Sequence, residues 1–157
     1  MSVYDNFLKL KDEISNLAEN YNREPDKILL LPVSKTIPVE IIKQAYSDGM
    51  TIFGENKVQE AENKFKQVEG NYKIHLIGHL QSNKSKQAVK LFDLIHSIDK
   101  LSTAQKIDFE AAKINKKQKI LLQVNTSGEK SKSGCAIEEA EELCMNINIL
   151  EGWWVGF

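Results

Sequence analysis

Long hydrophobic runs are missing from this sequence. No segment approaches the ~20 apolar residues that a membrane helix needs, so none is expected. Cysteine is scarce. Cys135 and Cys144 form no CxxC and no paired metal spacing, so free thiols in a reducing compartment are expected rather than a disulfide framework. The histidines form no HxH or HExxH, which argues against a zinc site. Neither a Gly-rich dinucleotide loop after the first strand nor a GxxxxGK[ST] loop is present, which weakens a nucleotide-binding reading. No sign of charge dominates: 21 Lys and Arg face 22 Asp and Glu, a net charge of −1. No global field therefore draws the chain to nucleic acid or an anionic membrane, although local charge still allows a small-ligand site. Met1 to Asp5 carry no basic n-region or apolar stretch, so no signal peptide is expected and the cytoplasm is the expected compartment.

What is present is a regular alternation of strand and helix patterns. Phe7, Leu10, Ile14, Leu17 and Tyr21 recur at intervals of three and four, predicting an opening amphipathic helix. Ile28–Val33 is an unbroken apolar run and predicts a strand buried on both faces. A helix opening near Pro38 and stopped by Gly49 follows. Further strands are predicted at Thr51–Phe53, Lys73–Ile77, Leu94–Ile98 and Ile120–Asn125. Helices are predicted from Val58 to Val68, Ser82 to Leu91, Ser102 to Ile114 and Ile137 to Ile147. A sixth strand should begin at Gly152–Phe157. Successive βα units imply an α/β fold with a parallel sheet and right-handed crossovers, either open and doubly wound or a TIM-type (β/α)8 barrel. A full barrel takes ~250 residues. This 157-residue chain is therefore expected to be one incomplete barrel domain over residues 1–157, about five βα units plus the start of a sixth.

Four segments carry candidate chemistry. Lys35 follows the first strand pattern, at the end where parallel sheets and barrels bind ligands. A partly dehydrated amine there attacks aldehydes; a strand-end lysine reaching into solvent is the plain alternative. Phe53-Gly54-Glu55-Asn56 follows the second strand. Glu55 or Asn56 either caps the next helix, or Asn56 hydrogen-bonds a ligand held against Lys35. Around the third strand, His75 reads as a satisfied structural histidine and His79 as the better site candidate. Gln81, Ser82 and Asn83 are caps or ligand contacts. The loop Asn125–Gly134 is small, polar and basic, and is either a surface loop or an anion cradle.

In order, Val33-Ser34-Lys35-Thr36, Phe53-Gly54-Glu55-Asn56, Val58-Gln59-Glu60, His75 to Lys84, Ile95 to Asp99 and Gln123 to Gly134 resemble the pyridoxal phosphate homeostasis protein family. The resemblance implies a barrel of the alanine racemase N-terminal type that carries pyridoxal 5'-phosphate (PLP) as a Schiff base on Lys35, with Asn56, His79 and Ser82 as further cofactor-binding residues. It implies PLP buffering without established turnover, PLP-dependent apoenzymes as acceptors, and a monomer. Two departures stand out. Many members carry a second lysine at the position of Ile37, and the phosphate-cup segments of the family's last third are not found, so the chain reads as truncated. A PLP-dependent racemase, a Schiff-base aldolase and a remnant that no longer holds PLP are the competing readings.

Overall fold

The computed structural model describes residues 2–148 and the backbone of the strand at 153–155. Helix α1 (Val3–Asn20) opens with a capping box: the Ser2 hydroxyl accepts from the Asp5 N–H and the Asp5 carboxylate accepts from the Ser2 N–H. Then follow α2 (Val39–Ser47), β1 (Ile52–Glu55), α3 (Val58–Phe65), β2 (Lys73–Leu76), α4 (Ser85–Leu91), β3 (Leu94–Ile98), α5 (Leu101–Ala112), β4 (Gln118–Leu122), α6 (Ile137–Asn148) and β5 (Trp153–Val155). Short 3-10 turns lie at Pro25–Lys27 and Ser82–Lys84.

The five strands pair in chain order, β1-β2-β3-β4-β5, and every pair is parallel. A doubly wound sheet reverses its strand order at a switch point. The steady order here is that of a TIM-type barrel, incomplete as expected. Of the predicted sixth strand, the backbone of Trp153–Val155 pairs with β4; Gly152, Gly156 and Phe157 lie outside the described residues.

Side chains alternate across the sheet. Phe53, Ile74, Leu76, Ile95 and Ile120 face the helices and pack with Ile42, Ala61, Phe65, Val89 and Ile107 in one core. The other face carries Gly54, His75 and Leu94, which are matched across β1, β2 and β3. Tight α4–β3 packing is completed by Lys116, whose Nζ donates to the carbonyls of Val89 (2.6 Å) and Phe92 (2.7 Å) at the end of α4.

The first predicted strand is corrected. Ile28–Val33 makes a single parallel bridge, Val33 with Gly54, rather than a full ladder. Gly54 N–H donates to the Pro32 carbonyl at 2.8 Å, and Ser34 N–H donates back to the Gly54 carbonyl at 2.9 Å. Pro32 has no N–H to contribute. The segment is not buried on both faces either, since Leu29 is 63% and Val33 46% exposed. Helix α3 ends at Phe65, although Val68 beyond it is still buried.

Ile95 is fully buried at the centre of the sheet. Ile95→Ala should lower unfolding stability by about 2–5 kcal/mol, read as a shift in the urea midpoint with an unchanged slope.

Candidate functional site

Parallel pairing brings the carboxyl ends of the strands, and the loops after them, to one rim. Two cavities open there. One, of about 430 Å³, is lined by Asn56, Lys57, Gly78, His79, Gln81 and Lys84, with Val58 and Gln59. The other, of about 330 Å³, lies between Ile77, His79 and the loop from Gln123 to Ser133, with Lys132 on its wall. His79 borders both. The rim is close-packed where Gly78 passes Asn56, because a Cβ at Gly78 would run into the Asn56 carbonyl.

Asn56 and His79 are therefore brought together. His79 is half exposed, and its Nδ1 lies 3.9 Å from the Asp99 carboxylate. Lys35 and Ser82 are not among the side chains lining these two cavities. Ser82 is exposed and opens the 3-10 turn, where its carbonyl accepts from the Ser85 hydroxyl at 2.8 Å. Gln81 occupies the cap position of that turn without a side-chain bond. The capping role expected of Glu55 or Asn56 is also corrected: Lys57 is the N-cap of α3, with no side-chain bond. Glu55 is drawn away because the alternation of β1 turns it toward the helices.

Lys35 is exposed, on a turn closed by the Ile37 N–H donating to the Ser34 carbonyl at 3.1 Å. Thr36, the third residue of that turn, has φ +62°, which a β-branched residue rarely adopts. Its N–H donates to Glu60 Oε1 at 2.6 Å. Glu60 in turn pairs with Lys64 at 2.6 Å, one helical turn along α3. Lys64 Nζ also reaches Glu55 Oε1 (3.0 Å) and donates to the Ser34 carbonyl (2.6 Å). The Ser34 hydroxyl donates to the same Glu55 oxygen at 2.7 Å. Glu55 is fully buried and Lys64 nearly so. The hydrogen bond from Lys64, with a second from the Thr36 backbone, holds Glu60 below the usual carboxylate range. Residue-by-residue reading missed this network. The only signal for it in the sequence is the Glu60–Lys64 spacing.

His75 is a partnered structural histidine, as expected. Its Nδ1 lies 3.1 Å from His96 Nε2 on the neighbouring strand. Burial, and next the proximity of His96, push His75 down to about 4; burial also lowers His96. The polar loop is ordered by Asn125, whose Oδ1 accepts from Ser127 and Gly128 and whose amide donates to the Glu129 carbonyl. Cys135 is buried, and burial raises its thiol pKa. No cluster of three metal-ligating groups occurs among the described residues. No described helix is long and apolar enough to cross a membrane.

A parallel sheet in sequential strand order, with its cavities at the carboxyl rim, defines a protein of the TIM-barrel class. The alanine racemase N-terminal domain family matches residues 11–155, and the chain belongs to that family. Among its relatives is a pyridoxal phosphate homeostasis protein of Vibrio alginolyticus, 40% identical over 154 residues, which is 95% of this chain. The chain spans 66% of that relative's length. A solved structure of PipY from Synechococcus elongatus with PLP bound is 32% identical with TM-score 0.78, covering 90% of this chain and 66% of PipY. Alanine racemase of Clostridium difficile, 17% identical, matches 91% of this chain and 38% of its own with TM-score 0.68, a likeness of fold alone.

His75 ordinarily titrates near 6.5, and its depressed value means that the unfolded chain takes up this proton first as pH falls. Stability should be full above about pH 6.5 and decline toward about pH 4, by roughly 3 kcal/mol in total from this group. Urea unfolding across that range measures it. His75→Asn should flatten the slope. Separately, Gly78→Ala should displace the Asn56 loop, seen as shifted amide resonances for Asn56 to Val58 with the β4 resonances unmoved.

Proposed function

We propose that this chain binds PLP on Lys35 and serves in PLP homeostasis, holding the vitamer without turning it over. One observation carries the reading: Lys35 sits on a fixed turn at the carboxyl rim of a barrel-ordered sheet, the end at which such folds bind ligands. The names of the relatives support it, as does the PLP held by PipY.

The rim cavity offers groups suited to the vitamer, while Lys35 and Ser82 stand outside its lining. A cavity of about 430 Å³ lies within the usual range of ligand pockets, ~300–1,000 Å³. Its lining offers Asn56 as a hydrogen-bonding group, with Lys57, Lys84 and His79 to meet an anion. When bound, the vitamer supplies an aldehyde carbon, to which the neutral Lys35 amine adds with loss of one water. Lys35 is the attachment point in this reading. Asn56 and His79 orient the ring and its substituents, and Ser82 contributes a hydroxyl from the adjoining turn. Exposure of Lys35 suits reversible loading and release better than a sealed catalytic pocket does. Racemisation needs acid–base groups on both faces of the reacting carbon, and this reading assigns no such pair. In the same proposal the chain acts as a monomer in the cytoplasm and passes PLP to PLP-dependent apoenzymes.

Incubation with PLP followed by borohydride should add a single pyridoxyl phosphate to the intact mass, with the modified peptide containing Lys35. Lys35→Ala should remove that adduct while leaving the circular dichroism unchanged. A folded wild-type chain with no Lys35 adduct sinks the proposal. Enzyme-dependent formation of D-alanine from L-alanine would replace buffering with racemisation.

A further inference from the structure

The Lys35 turn has no regular strand around it to keep it in place. Its backbone continues from a segment with a single ladder bridge, and Thr36 holds a conformation unfavourable for a β-branched residue. Strain of this kind persists only where surrounding groups enforce it. The turn is closed by its own Ile37–Ser34 bond and tied to β1 by the Ser34 N–H; the side-chain contacts on its two flanks meet at Lys64. Its ammonium donates to the Ser34 carbonyl at 2.6 Å, on one side of Lys35. It also holds Glu60 at 2.6 Å, and Glu60 accepts the Thr36 N–H at 2.6 Å, on the other side. Glu55 anchors the assembly from beneath, bonded to both Lys64 and the Ser34 hydroxyl. Lys35 is thus bracketed by two backbone contacts, one made by Lys64 and the other by the Glu60 carboxylate that Lys64 pairs with.

We propose that Lys64 is a positioning residue: through the Ser34 carbonyl and through Glu60 it sets the Ser34–Ile37 turn, and so directs aldehyde capture to Lys35 rather than to other surface lysines. The proposal rests on Lys35 being the attachment point for PLP. Lys64 does not touch the aldehyde in this scheme. Its three acceptors use the three N–H bonds of one ammonium, so its donors are fully engaged. Ser34 is turned toward the helices by its bond to Glu55. Charge-assisted bonds of this length are the strong ones, which suits holding a strained residue.

The test uses the full chain and two readouts. The first is the Thr36 amide resonance, which a short bond to a carboxylate moves downfield. The second is the share of borohydride-trapped pyridoxyl phosphate found on Lys35 by peptide mapping, with the melting temperature as a control. Glu60→Gln leaves the buried Glu55–Lys64 pair intact and should fold normally. It should move the Thr36 amide upfield and cut the Lys35 share on the order of tenfold. Lys64→Met should do the same or more, at some cost in melting temperature. Lys64→Arg should recover much of the lost selectivity, which a purely structural loss would not predict. Wild-type trapping at Lys35 that persists at full share in both Glu60→Gln and Lys64→Met overturns the positioning role and leaves PLP attachment standing. Absence of the adduct from the wild type overturns both.

Discussion

Parallel pairing in chain order is the constraint from which the rest of this structure follows. Each strand must be re-entered from the same end, so each crossover carries a helix and every loop after a strand returns to one rim. Sequence-distant groups such as Asn56, His79 and Asn125 become neighbours for that reason alone. The crossover helices cover one face of the sheet, which explains why Ile74, Leu76, Ile95 and Ile120 on that face are nearly or fully inaccessible.

Against this apolar layer the fold sets a buried carboxylate. Taking Glu55 out of water is expensive unless it is paired and hydrogen-bonded. Lys64 and Ser34 supply the pairing, and the two remaining Lys64 contacts extend it to the Lys35 turn. A buried ion pair is weak evidence for stability, because desolvation offsets its attraction. Its use here is geometric, since it joins β1, α3 and the turn at fixed distances. The His75–His96 pair is a second polar element in the sheet, stable as neutral rings that satisfy one another.

Much of the architecture was legible in the sequence. Helical periodicity at Phe7, Leu10, Ile14 and Leu17 predicted α1, and Gly49, at φ +117°, ended α2 where a left-handed residue was needed. The strands predicted at Thr51, Lys73 and Leu94 appeared within a residue or two of their patterns, and the one predicted at Ile120–Asn125 is shifted to Gln118–Leu122. The first strand did not, because an apolar run reports burial capacity but not whether a partner lies alongside. Glu55 was misread for a related reason. A carboxylate three residues before a helix is a plausible cap on local grounds, and only the packing of α3 against β1 provides the lysine that claims it.

By itself, the sequence determined the α/β class, the helix and strand spacing, and the identity of the chemically distinctive residues, Lys35 and His79 among them. These depend on local periodicity and side-chain chemistry, which a linear chain carries. Tertiary structure alone decided the joining of Asn56 to His79 in one cavity, the exposure of Lys35, and the Glu55–Lys64–Glu60 clamp around its turn. Each of these is a relation between segments far apart in the chain. No local pattern encodes such a relation until the strands have paired.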